Sequence, residues 1–182
     1  VGGHKDSIVW FDYKDTVEFT ATPDAGYYIS RVAYEYNGTT VELYAGTQAD
    51  IAAQTYSFEM PHYDVKLIVE FAKVDYSIDV TTSNTASAGT GKVETQNGVY
   101  LAQLGDVVTL VATPEAGYHL DTLTVTYAYN GGVESLTLTK IAENTYTFVM
   151  PATEVTVTAT FAVNTYKVTA DTEIPGGKVT VG

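Results

Sequence analysis

A chain without cysteine has to find any chemistry in its histidines, carboxylates, hydroxyls and aromatic rings. Its three histidines are His4, His62 and His119. A metal site needs two or more ligands spaced to converge, and a general base needs a partner that fixes its tautomer. No such spacing is present. When the two halves of the chain are aligned, as below, His62 falls opposite Ala152 and His119 opposite Tyr28, so each reads as a surface or packing residue. Among the carboxylates, Asp24 and Glu115 recur beside Pro23 and Pro114. A side-chain bond that closes a turn explains them better than one half of a glycosidase acid/base pair. There is no Asp-x-Asp-x-Asp-Gly calcium loop and no Gly-x-Ser-x-Gly nucleophile elbow. Gly89-Thr90-Gly91-Lys92 lacks phosphate-loop spacing and reads as a hairpin turn between two short strands. The expectation is a non-enzymatic chain with no catalytic residue, cofactor or metal.

The aromatic residues supply the strongest binding candidate. There are 15 Tyr and 6 Phe but a single Trp. Trp10, Tyr28 and Tyr63 are the candidates for stacking on sugar rings, with Phe11, Tyr13 and Tyr27 near them. Tyr27 and Tyr118 recur after glycine and are expected to pack at a corner of the core. Asn37-Gly38-Thr39 is formally a glycosylation acceptor but reads first as a hairpin turn. Lys92 and Lys178 occupy equivalent positions, yet no acid and Asn set marks either as an isopeptide crosslink.

The elements that would carry these residues are dictated by a repeat. Asp15-Thr16-Val17-Glu18-Phe19-Thr20-Ala21-Thr22-Pro23-Asp24-Ala25-Gly26-Tyr27 returns as Asp106-Val107-Val108-Thr109-Leu110-Val111-Ala112-Thr113-Pro114-Glu115-Ala116-Gly117-Tyr118. Tyr56 to Pro61 returns as Tyr146 to Pro151, Phe71 as Phe161, and Tyr76-Ser77-Ile78 as Tyr166-Lys167-Val168. Gly91-Lys92-Val93 then returns as Gly177-Lys178-Val179. The period is about 90 residues. Domain bounds follow: residues 1–74 are a first repeat lacking its opening strand, 75–163 a complete second repeat, and 164–182 the opening strands of a third.

Apolar residues alternate within each copy, the period of a strand. Val155, Val157, Ala159 and Phe161 share one face, with Thr156, Thr158 and Thr160 on the other. Val65, Leu67, Val69 and Phe71 form the matching inward row of the first copy. Asn37-Gly38, Asn97-Gly98 and Asn130-Gly131 signal hairpins, and each Met-Pro sets proline at a strand start. Only Gln48 to Ala53 suggests one helical turn. The fold expected is all-β: tandem small antiparallel β-sandwich-like repeats, Ig-like or β-grasp-like.

The string Gly105 to Tyr118, with Tyr146-Thr147-Phe148-Val149-Met150-Pro151-Ala152 and Val155 to Phe161, resembles the divergent internalin-type B-repeat family. That family occurs in tandem on large secreted and surface proteins of bacteria. The resemblance implies an extracellular or cell-surface location and a spacing or adhesion role, without naming a ligand. The first copy departs from the pattern at His62, where Ala usually follows Met-Pro.

Charge narrows the partners. Nine basic residues against 22 acidic ones give a formal charge of −13, which argues against nucleic acid and anionic membranes. No apolar run is long enough for a helix to cross a bilayer. The partners expected are the chain itself or neighbouring repeats head to tail, with glycans or a host surface as the alternative. The chain opens on Val1, which fits a removed leader or a window on a longer repetitive protein. In that window the missing strand would simply lie upstream. The sharper expectation is strand donation: Tyr166, Val168, Val179 and Val181 of one chain complete the first repeat of the next, giving a structural filament, pilus-like fibre or stalk.

Overall fold

The computed structural model describes residues 8–82, 90–169 and 176–177. It is all-β, with no helix among them. The first copy contributes β1 (Thr16–Ala21), β2 (Tyr27–Tyr36), β3 (Thr39–Ala45), β4 (Gln54–Glu59) and β5 (Lys66–Lys73). The second brings β6 (Tyr76–Thr82), β7 (Gly91–Thr95), β8 (Leu101–Ala102), β9 (Val107–Pro114) and β10 (Tyr118–Tyr129). It continues with β11 (Gly132–Ser135), β12 (Thr139–Ala142), β13 (Thr145–Val149) and β14 (Val155–Val163).

Each copy pairs two antiparallel sheets. The first has β1–β4 and β3–β2–β5; the second has β12–β13–β9–β7 and β11–β10–β14–β6–β8. Strands at equivalent places in the sequence hold equivalent places in the sheets: β1 matches β9, β2 matches β10, β4 matches β13 and β5 matches β14. The boundary between the two compact units of the chain does not follow the repeat, because 100–107 and 149–155 group with the first copy.

Local sequence explains the shared details. Gly26 and Gly117 take φ of 80° and 88° in turns closed by Tyr27 N–H donating to Asp24 O and Tyr118 N–H to Glu115 O. Those backbone bonds, rather than the Asp24 and Glu115 side chains, close the turn, and glycine supplies the left-handed residue it requires. Against β5 and β14 the two long central strands slip register at equivalent places, at Ser30 between Ile29 and Arg31 and at Asp121 between Leu120 and Thr122. This β-bulge puts a polar residue where pairing breaks. Met60 and Met150 end their strands alike, donating to Asp15 O and Asp106 O, both at 2.8 Å.

Four sequence expectations are corrected. Asn37-Gly38 and Asn130-Gly131 have positive φ at both residues and link hairpins β2–β3 and β10–β11. Asn97-Gly98, however, is a turn between β7 and β8, which pair in different sheets. Gly91 likewise opens β7 rather than a hairpin, since β6 and β7 lie in different sheets; Gly89 lies outside the described residues. Gln48 to Ala53 forms a turn instead of a helical one. Its Asp50 carboxylate accepts from Thr47 N–H at 2.6 Å and Gln54 Nε2 at 2.9 Å, local bonds that compete with helix. The prolines of Met-Pro sit in the connections that precede β5 and β14, short of the strand starts.

The cores differ in completeness. In the second copy Leu110, Ala112, Val125, Phe148, Val157 and Ala159 are buried, and so are Ile78 of β6 and Val93 of β7. In the first, Ala21, Ile29 and Val32 form the centre, packed by Phe19, Leu43, Tyr44, Tyr56 and Val69.

Candidate functional site

The feature that separates the copies is the fate of one row of side chains. In β14 the inward residues Val155, Val157 and Ala159 are fully buried. The strand lies between β10 and β6, so both of its edges are paired. In β5 the inward row is partly open: Val69 is half-buried, as is Val65 just before the strand, but Leu67 is 41% and Phe71 43% exposed. Among the described residues no strand pairs with the outer edge of β5, or with the edge of β1 that corresponds to the one β7 takes on β9. The alternation expected Leu67 and Phe71 to be inside. The pattern sets which way a side chain points, but burial also needs something opposite it.

An unpaired strand edge beside an exposed apolar row can accept another strand, with backbone bonds for affinity and the row for selectivity. The segment after β14 carries residues of the complementary kind. Asn164 N–H donates to Gly117 O at 2.8 Å, as Val74 N–H does to Gly26 O at 2.9 Å. The Asn164 side chain holds this exit, its Nδ2 donating to Tyr118 O at 3.2 Å and its Oδ1 lying 2.9 Å from His119 Nδ1. Beyond it, Tyr166 and Val168 are 75% and 72% exposed and belong to no strand. Their counterparts in β6, Tyr76 and Ile78, are half-buried and 2% exposed. Val179 and Val181, the other two residues expected to donate, lie outside the described residues, as does Lys178.

Two residues of this region escaped the sequence reading. A Cβ built on Gly91 would lie 2.7–2.8 Å from three ring atoms of Phe161, so β7 begins by laying bare backbone on that ring. Both partners recur, as Gly177 and Phe71. Their recurrence was visible in the sequence, but their mutual contact was not.

The aromatic candidates separate. Tyr63 stands in a run of rings on the first copy: Phe58–Tyr34 at 4.3 Å between centroids, Tyr34–Tyr36 at 5.9 Å, Tyr36–Tyr63 at 6.2 Å and Tyr63–His62 at 4.2 Å. Tyr13 meets His62 edge-on at 6.1 Å. The Tyr34, Tyr36 and Tyr63 planes lie within about 20–25° of one another, an offset-stacked series. Trp10 is exposed and Tyr28 half-buried, opposite Ala72 in the β2–β5 register, and neither joins this run. Tyr27 is exposed rather than a corner of the core. Lys92 is on the surface with Nζ 2.7 Å from Glu94, unlike a buried crosslinking lysine. His4 lies outside the described residues.

The clearest electrostatic perturbation is at Asp50. Its carboxyl is held down at about 2, first by the hydrogen bond from Tyr44, then by Thr47 N–H and Gln54. Asp50 raises Tyr44 by the same bond. This network fastens the connection before β4, where the second copy instead forms β12. Among the described residues, no three His, Asp or Glu side chains gather as a metal site would require, and no helix is long and apolar enough to cross a membrane.

Comparison with protein families gives one match. The model of the divergent InlB B-repeat domain fits the chain twice, over residues 11–75 and again over 80–165. No curated protein and no solved structure matches it.

Proposed function

Because the chain belongs to the divergent InlB B-repeat family, we propose that it is a non-enzymatic structural segment of an extracellular filament or cell-surface stalk. Its repeats propagate head to tail by sharing strands. The observation that carries this reading is the contrast between β14, where Val155, Val157 and Ala159 are sealed beside β6, and β5, where Leu67 and Phe71 are open. The stretch from Tyr166 onward is the counterpart of β6 in the repeat, and its Tyr166 and Val168 are exposed, so it offers what β5 lacks. A head-to-tail contact of this kind does not close on itself and extends into a fibre. Backbone pairing along β5 and β1 would give stiffness without any ligand or catalytic group. The net charge of −13 keeps such a fibre soluble and discourages sideways clumping.

The test is removal of residues 166–182, leaving Asn164 in place. Full-length chains at high concentration are expected to form oligomers or fibres, seen by sedimentation and electron microscopy, and the shortened chain to remain monomeric. Oligomers that persist in the shortened chain reject strand sharing.

The ring series at Tyr63 supports a second reading, a glycan-binding adhesin surface. Tyr13 and Tyr63 are exposed at its outer end, and stacked tyrosines suit the apolar faces of sugars. Retardation of the chain in polysaccharide gels, lost in Tyr63→Ala, would support it; equal mobility of the two proteins in every polysaccharide tried rejects it.

A further inference from the structure

The strand-sharing reading leaves open what fixes the register of the joint, and the second copy contains a worked instance. There β7 pairs with β9 so that Gly91 faces Pro114, Lys92 faces Thr113 and Val93 faces Ala112. Gly91, at φ of 153°, lies on the Phe161 ring so closely that even one added carbon would overlap three ring atoms. Thr90, just before it, is buried and tolerates a side chain. In the first copy the matching Ala21 ends β1, Thr22 and Pro23 follow it, and Phe71 matches Phe161. Its ring is 43% exposed. Gly177 has open space around its Cβ position. Donor and acceptor of the same contact are thus both present and both unfilled.

Resting on the reading above, we infer that Gly177 of one chain seats on Phe71 of another chain, opposite Pro23, and that this contact sets the register of the joint. Tyr166 and Val168 then run along β5 in the manner of Tyr76 and Ile78. The glycine at 177 is required because any larger residue meets the ring, whereas Gly176 takes the place of Thr90, away from the ring, and is restricted only by its own φ of 94°.

Self-association of full-length chains, read by sedimentation velocity, tests this. Gly177→Ala is expected to weaken association at least tenfold. Gly176→Asn should leave it within about twofold, because asparagine accepts the positive φ of Gly176 and the equivalent Thr90 already carries a side chain in the second repeat. Adding Phe71→Ala to Gly177→Ala should restore part of the loss, since the ring that meets the new carbon is gone. Gly177 lies in open space, so Gly177→Ala should leave the melting temperature unchanged; Phe71 stands opposite the buried Ile29, so the Phe71→Ala single variant is the reference for the double one. If Gly177→Ala associates like the parent while removal of residues 166–182 abolishes association, the Gly177 contact is wrong and strand sharing stands. If Gly176→Asn weakens association as much as Gly177→Ala, the assigned register is wrong. Parent chains that remain monomeric at millimolar concentration overturn both.

Discussion

Two copies of one sequence pattern, in one chain, end with opposite surfaces on equivalent strands. β5 and β14 have the same alternation, follow the same Met-Pro connection and pair with the same central strand across the same bulge. Yet Leu67 is 41% exposed where Val157 is fully buried. The difference arises in β6 and β7, which flank β14 and β9 and have no counterpart beside β5 and β1 among the described residues. A strand's own sequence chooses the face it offers to the core; its neighbours decide whether that face leaves water. At about 25 cal/mol per Å² of apolar surface, an open row is a persistent drive toward a partner.

The sharpest way to break this comparison is to put a charge at the equivalent positions. Val157→Asp places an unpaired carboxylate where no water reaches, and should destabilise the second copy by more than about 4 kcal/mol. Leu67→Asp points its charge at solvent and should cost less than about 1 kcal/mol in dilute, unassociated protein. Urea unfolding followed by backbone amide signals of each copy measures both. Similar losses for the two variants would mean that the β5 row is covered in solution and that the open edge does not exist. In associated protein the Leu67→Asp cost should rise, because the joint buries that position.

Much of this was legible in the sequence, and what was not has a physical cause. The repeat, the all-β class and the hairpins at Asn37-Gly38 and Asn130-Gly131 follow from local rules: period-two alternation and residues that accept positive φ. Asn97-Gly98 carries the same dipeptide, yet no hairpin forms, because the strands on either side are claimed by different sheets. That is a tertiary choice no dipeptide encodes. Tyr166 and Val168 were identified as candidate donors from phase alone, and the structure finds them exposed. Phe71 was expected inside because alternation reports direction and not coverage. The ring series Tyr34–Tyr36–Tyr63–His62 unites side chains of β2 with the connection after β4, residues 26 or more apart in the chain, a juxtaposition fixed by sheet packing.

A smaller effect separates the copies by pH. The connection before β4 is held by the Asp50 carboxylate, while the second copy has strand pairing of β12 with β13 at that place. Because folding lowers the Asp50 pKa from 3.8 to about 2, its contribution is fully present above the unfolded value. It is lost as pH falls through the folded one. Between pH 4 and pH 2 the Thr47 and Gln54 signals should therefore shift with the titration of Asp50, midpoint about 2, while those of β12 stay put. Asp50→Asn should abolish the shift. Movement of β12 signals over the same range would tie the two copies together and remove the contrast.

The smallest effect belongs to one register position occupied by different chemistry. Just past the bulge, Arg31 stands opposite Glu70 in the first copy and Thr122 opposite Thr160 in the second. Arg31 Nη1 lies 3.0 Å from Glu70 and its Nη2 and Nε bind Glu42. The two threonine hydroxyls lie 2.6 Å apart, and Thr160 also donates to Asp121 at 3.2 Å. Both pairs link the same two strands on the outer face. Those guanidinium and carboxylate groups are solvated, so the pair should stabilise little and be screened by salt. Replacing Arg31 and Glu70 together by threonine should scarcely change the melting temperature of the first copy. What small change there is should disappear in 1 M salt, where the screening length is about 3 Å. Replacing Arg31 alone should cost more than the double change, since Glu42 and Glu70 then face each other uncompensated. A double variant that melts well below the Arg31→Thr single would show that Glu70 holds the strands by itself, and that the copies are not interchangeable at this position.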